Sequence, residues 1–264
     1  MKSYDKIVIK NTFFLYIMTG AKFVLPLIIT ACLTRRLGPE SYGVISYLTP
    51  VMGYFILLFD FGFDFSATKK ISQNRSNKEY IEKTIASVYT AKILLVPIGF
   101  IFLLILFFCV ELLREYFLLT VLYYISTAAQ IFIPDFLYRG LEKMEGITKR
   151  YILAKFITAV MIFVTVQDDR ELIIIPVAYL IGTVIAAVYT NHHMVKKMGY
   201  RFSLAPIKDA LSELKVSSIY FMSTFASTAL SVTSTFVMGI VGMPVEEIAY
   251  WGVAFQVVQA VQAM

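Results

Sequence analysis

The sequence predicts an all-α fold, a polytopic membrane helix bundle, and three observations carry that prediction. The apolar fraction is 58%, mean hydropathy is +0.73 and only 16% of residues are charged, values foreign to a water-soluble domain. Apolar runs long enough to cross a bilayer at ~1.5 Å per residue recur from end to end. Basic residues crowd into every second loop between those runs, as in alternating membrane spans. No soluble domain is visible. The net charge of +6 therefore reads as topology, and nucleic-acid binding is set aside.

The first span covers about Asn11 to Thr34. Lys22 lies near its midpoint, where a charge costs roughly 2.5–3.5 kcal/mol and calls for water, a partner or a ligand. Pro26, one turn later, is expected to bend the helix beside it. The stretch is too long for a signal peptide, contains Lys22 and leads into further spans, so it reads as a retained helix. The turn Thr34-Arg35-Arg36-Leu37-Gly38-Pro39-Glu40-Ser41-Tyr42-Gly43 leads into a second span, about Tyr42 to Ala67. Asp60 and Asp64 lie four apart there and are expected on one helix face. A third span, about Thr84 to Cys109, holds Lys92, and a fourth, about Tyr116 to Leu137, holds Gln130 and Asp135. The fifth, about Tyr151 to Val166, carries Lys155; the sixth, Leu172 to Thr190, carries no charge. A seventh, about Val216 to Val241, is rich in small hydroxylated residues including Ser223, Ser227, Ser231 and Ser234, which suit close helix packing. An eighth starts near Ile248 and is still helical in pattern at Met264.

One set of loops holds Lys2, Lys6 and Lys10; Lys69, Lys70, Arg75, Lys78 and Lys83; Arg139, Lys143, Lys149 and Arg150; Lys196, Lys197, Arg201, Lys208 and Lys215. The alternate set holds only Arg35, Arg36, Arg114 and Arg170, so the N-terminus is expected in the cytoplasm. The outer connections are short and leave no room for an external catalytic domain. For Ser203 to Leu214 two readings stand: an amphipathic helix on the cytoplasmic surface, with Ile207, Leu211 and Leu214 on one face, or the first turns of the seventh span. The turn at Gly38-Pro39-Glu40 and that at Gly242-Met243-Pro244-Val245-Glu246 look like two copies of one motif, six spans apart and hence parallel. Chance likeness of membrane turns is the alternative.

Six ionisable residues lie in or near the membrane: Lys22, Asp60, Asp64, Lys92, Asp135 and Lys155. All but Lys22 fall in cytoplasmic halves, where a wet, inward-facing cavity with a cationic centre would suit a phosphate-bearing ligand. Lys92 and Lys155 have a second reading, in which their ammonium groups snorkel to the interface. Asp60 and Asp64 are candidates for holding a proton or cation, or for pairing with loop lysines such as Lys69. Cys32 and Cys109 have no CxxC or Cys/His spacing, His192-His193 sits in a basic loop, and no GxxxxGK[ST], HExxH or GxSxG motif occurs. No catalytic residue, metal site or cofactor is expected.

Gly38-Pro39-Glu40-Ser41-Tyr42-Gly43, then Asp60-Phe61-Gly62-Phe63-Asp64-Phe65-Ser66-Ala67-Thr68-Lys69-Lys70-Ile71-Ser72, then Lys92, then Tyr138-Arg139-Gly140-Leu141-Glu142-Lys143-Met144 carry a resemblance. In that order and spacing the chain resembles the polysaccharide-biosynthesis, O-antigen-type (Wzx-like) flippases of the multidrug/oligosaccharidyl-lipid/polysaccharide exporter superfamily. The resemblance implies twelve to fourteen helices in two lobes. Residues 1–200 would form a first six-helix lobe, 201–215 a cytoplasmic amphipathic linker and 216–264 the start of a second lobe, truncated at Met264. It implies a non-enzymatic transporter of the bacterial inner membrane that moves a polyprenyl-pyrophosphate-linked oligosaccharide outward by alternating access, with an ion gradient driving it. Lys22, Lys92 and Lys155 would meet the pyrophosphate, and Asp60, Asp64 and Asp135 would couple to the ion. Membrane lipids and the glycan polymerase machinery are the implied partners. The rivals are a multidrug/cation antiporter of the same superfamily, whose pocket would be acidic where this one centres on a lysine, and a membrane glycan polymerase or glycosyltransferase, for which the outer loops are too short.

Overall fold

Within hydrocarbon no water reaches backbone amides, so apolar runs fold as helices that satisfy their own hydrogen bonds. The computed structural model describes residues 2–262, with side chains from 8 to 228 and from 233 to 261; expectations resting on Lys2, Lys6, Ser231 and Met264 lie outside the described side chains. Among the described residues the elements are α1 (Lys2–Arg36), α2 (Pro39–Asp60), α3 (Phe63–Gln73), α4 (Lys78–Cys109), α5 (Glu111–Glu115), α6 (Phe117–Ala128), a 3₁₀ turn (Ala129–Phe132), α7 (Asp135–Gly140), α8 (Met144–Thr165), a second 3₁₀ turn (Asp169–Glu171), α9 (Ile174–Lys196), α10 (Ile207–Ile240) and α11 (Val245–Gln262). The fold is an all-α polytopic bundle.

Among the described residues five spans are long and apolar enough to cross a membrane: α1, α2 with α3, α4, α6 with α7, and α9; α10, whose axis turns by 70° between 207–228 and 233–240, makes a sixth when its two arms are taken as one span. By that measure of length and apolarity α8 and α11 fall short, although α8 runs from the basic end at Glu145 to the opposite end at Val166. Lys149, Arg150 and Lys155 interrupt α8, and Glu246, Glu247 and Gln256 interrupt α11. Packing holds both in the bundle, α8 between α1 and α9 and α11 against α2.

Two expected spans are broken, and both breaks matter to the site. Asp60 and Asp64 do not share one helix face: α2 ends at Asp60, Phe61 (φ 44°) and Gly62 (φ 77°) turn left-handed, and Asp64 opens α3. At Gly62 a Cβ would stand 2.7 Å from the Phe221 amide nitrogen, so only glycine lets α10 close on the break. Ser66 and Ser217 then share a buried 2.6 Å hydrogen bond across the same contact. The fourth span is not continuous from Tyr116 to Leu137 either. Pro134 disfavours a helical residue before it, and the chain leaves α6 through a 3₁₀ turn before α7 begins. The carbonyl of Phe132, freed at this break, accepts a 2.7 Å hydrogen bond from Asn191. By contrast, Pro26 leaves α1 a single helix.

Of the two readings for 203–214, the structure has α10 begin at Ile207 and run unbroken to residue 228, with Ala210, Glu213 and Ser217 buried and Ile207 and Leu211 exposed. The segment is continuous with the seventh span. The two turn motifs lead into α2 and α11, which pack side by side in the same direction. Gly43 has no room for a Cβ against Val245, and Gly252 has none against Ser46. The loops sort by end as well. Arg75 bonds Glu142, Lys10 bonds Glu145 and Lys83 faces Asp209 at the basic end, whereas the Gly38 amide donates to Asp169 and Arg36 donates to the Val166 carbonyl at the other.

Candidate functional site

The two broken spans bring charge into the bundle. A cavity of about 270 Å³ lies among α1, α2, α3, α4, α7 and α8, and four cations and three carboxylates line it: Lys22, Lys92, Arg139 and Arg150 with Asp60, Asp64 and Asp135. Six of these seven form ion pairs. Arg150 meets Asp135 at 2.6 Å, Arg139 meets Asp64 at 3.3 Å and Lys92 meets Asp60 at 3.7 Å. Lys92 is only 6% exposed and lies over the rings of Phe136 and Phe63, so its ammonium is held within the bundle and does not snorkel to the interface. Asp64 pairs with Arg139, where the sequence offered Lys69.

Lys22 makes no ion pair or hydrogen bond among the described residues, and it stands in the wall of two cavities. The second, of about 400 Å³, opens among α1, α2, α9, α10 and α11 with Lys22 as its sole charged lining residue. Hydroxyls and amides, including Ser46, Thr49, Gln259 and the Thr30 to Gln256 pair at 2.6 Å, alternate there with apolar side chains such as Phe23, Ile29, Leu33 and Phe255. In the first cavity Asp135 Oδ1 and the Nε atoms of Arg139 and Arg150 are buried with no partner among the described residues. Such orphaned polar atoms beside a lone cation can each form a hydrogen bond with a water or a polar ligand.

Lys155 stands apart. Its ammonium lies 4.8 Å from the centroid of Tyr179, a residue lining the second cavity, and it does not line the charged one. The candidates Lys22, Lys92, Asp60, Asp64 and Asp135 are thus brought together, and Lys155 is not. Among the described residues no three His, Cys, Asp or Glu side chains converge as metal ligands.

A family model described as "Polysaccharide biosynthesis protein" matches residues 8–264. The chain belongs to that family. A protein of Escherichia coli (strain K12) named "Putative O-antigen transporter" is 26% identical over 240 residues, covering 89% of this chain and 57% of its own length. One of the same name from Shigella dysenteriae is 25% identical over 231 residues, covering 83% of this chain and 55% of its own. The chain thus spans a little over half the length of these curated relatives. A solved structure titled "Crystal structure of MATE in complex with Br-NRF" superposes with a TM-score of 0.53 over 98% of this chain and 68% of that one, at 16% identity. That likeness shows the fold. The family match and the apolar helices together make the chain a multi-pass membrane protein of the matched family.

Within this polysaccharide biosynthesis family member, sequence reasoning missed two of the seven charged residues of the cavity. By sequence alone Arg139 and Arg150 read as loop charges. Their signal was position: Arg139 follows Pro134 by five residues, so a helix restarting at Asp135 carries Arg139 in its second turn. Arg150 stands six residues after the start of α8 at Met144, inside a helix already packed on α1 and α9.

Proposed function

We propose that the protein moves a polyprenyl-pyrophosphate-linked oligosaccharide from the cytoplasmic to the outer leaflet of the bacterial inner membrane by alternating access. The observation that carries this reading is Lys22, a cation with no ion pair among the described residues that stands in the wall of both the charged cavity and a second one with no other charged lining residue. A pyrophosphate needs a cation that is not already neutralised. A glycan needs hydroxyl and amide partners free of competing charge, and the second cavity offers them. The names of the relatives support a glycan-linked substrate at the level of the family.

In this reading Lys22 binds the pyrophosphate, and Lys92 joins it when Asp60 is neutralised by the coupling ion. The Lys92 to Asp60 contact, at 3.7 Å, is the longest of the three pairs. Lys155 acts on the second cavity through Tyr179 rather than on the pyrophosphate. Residues 1–200 form the first lobe, and α10 and α11 open the second. The N-terminus lies in the cytoplasm. No covalent step is assigned to any residue.

The test is complementation of a flippase-null strain while the lipid-linked oligosaccharide is followed in each leaflet. Lys22→Ala abolishes outward movement at unchanged protein level, and Lys22→Arg retains part of it. Full export by the alanine variant sinks the assignment.

A further inference from the structure

A third cavity lies outside the site described above, at the basic end of the bundle. It measures about 640 Å³ and is walled by the start of α1, the α3 to α4 turn, the α7 to α8 turn and the end of α9. Five cations line it against two carboxylates, and both carboxylates are already engaged. Glu145 is held by Lys10 at 2.5 Å and Lys149 at 2.6 Å, and Glu142 is held by Arg75 at 2.5 Å. Lys143 and Lys197 line the same cavity and make no ion pair among the described residues. His193 joins them, its ring set by a 3.0 Å contact of Nδ1 with the Tyr138 hydroxyl.

This vestibule is divided from the inner charged cavity by a small apolar wall. Met18, Tyr138 and Ile147 form a buried cluster, with Met18 and Ile147 lining the inner cavity and Tyr138 the vestibule. The Tyr138 ring lies flush on Gly146, where a Cβ would stand 2.7 Å from it. The two basic cavities are therefore adjacent but separate. Each has surplus cations of its own.

We propose that the vestibule is a second anion site, which binds a phosphate-bearing headgroup at the membrane face through Lys143 and Lys197. It stands on its own cations and does not depend on Lys22. An ammonium is a compact point charge with three donors, and a phosphate dianion between two of them gains charge-assisted hydrogen bonds that no protein acid competes for here. Two sources supply that chemistry: the pyrophosphate of a lipid-linked substrate approaching the inner cavity, and an acidic phospholipid of the surrounding leaflet.

The experiment is equilibrium binding of inorganic pyrophosphate to the full chain in phosphatidylcholine nanodiscs, in a Lys22→Gln background that removes the inner cation. Residual binding that falls tenfold or more on adding Lys143→Gln with Lys197→Gln, at an unchanged melting midpoint, supports the site. The control pair Lys208→Gln with Lys215→Gln removes the same charge from another basic loop. An equal fall in that control overturns the proposal, because a general field and not a site would then be at work. Absence of binding in the Lys22→Gln background, or binding unchanged by the Lys143 and Lys197 pair, overturns it as well. Replacing part of the phosphatidylcholine by phosphatidylglycerol separates the sources: competition assigns the site to the bilayer headgroup, and its absence to the pyrophosphate.

Discussion

Arg150 and Asp135 face each other at 2.6 Å with only 9% and 22% of their side chains exposed. Taking both charges out of water is costly, and the pair recovers that cost only while both partners are present. Removing one leaves an uncompensated charge inside the bundle. Arg150→Met is therefore expected to cost about 3 kcal/mol, while Arg150→Met with Asp135→Leu returns most of it. Thermal unfolding in detergent checks this, and a single variant as stable as the parent would remove the pair from the stability account. The same two residues show where sequence reading reached and where it stopped. Asp135 stood out as an acid within an apolar run. Arg150 did not, because a basic residue beside a loop is the ordinary topology signal, and only packing of α8 between α1 and α9 turns it into a buried partner.

The helices themselves were legible from apolar length, since lipid permits few other forms; their interruptions were not. Gly62 and Pro134 were visible in the sequence, but a glycine or proline within a membrane span is often carried without a break. What fixes each break is a partner far along the chain. At the second break Asn191 donates to the Phe132 carbonyl at 2.7 Å and accepts from the Tyr89 hydroxyl at 2.8 Å. Asn191→Ala leaves both groups without those bonds and is expected to lower stability by about 1–2 kcal/mol, read as a fall in the melting midpoint in detergent. Leu at the same position is expected to do no better, because volume does not replace the bonds. A second contact between elements responds to pH. Lys10 of α1 and Lys149 hold the Glu145 carboxyl at the start of α8 down to about 2, through hydrogen bonds to each. A carboxylate depressed in the folded state adds stability above its unfolded value near 4.5, and that stability is lost as pH falls from there toward 2. Solvent and salt screen much of it at this membrane surface. Proteolysis within the first turns of α1 is expected to quicken over that acid range in the parent and to be insensitive to it in Glu145→Gln.

At the scale of the whole molecule, the placement of charge sets direction. The basic loops meet at one end, through Arg75 with Glu142 and Lys10 with Glu145, and the sparse loops meet at the other, through Gly38 with Asp169. In the proposed orientation, which follows from retention of lysine and arginine in the cytoplasm, the basic end is the inner one. The charged cavity lies toward that end, beside the vestibule, and the uncharged cavity lies beyond Lys22, toward the turns that open α2 and α11. Charge near the cytoplasm and neutral polar groups near the outside is the order in which an outward-moving, phosphate-linked glycan would meet them. Orientation is thus the premise that gives the two cavities their sequence, and it is open to direct measurement. With Cys32 and Cys109 replaced by alanine, Lys143→Cys and Arg170→Cys provide one exposed thiol at each end. A membrane-impermeant maleimide is expected to label the Arg170 position in intact spheroplasts and the Lys143 position only after the membrane is opened. The reverse pattern would put the charged cavity on the outer side, where a cytoplasmic pyrophosphate meets it last, and the proposed outward direction of transport would fall with it.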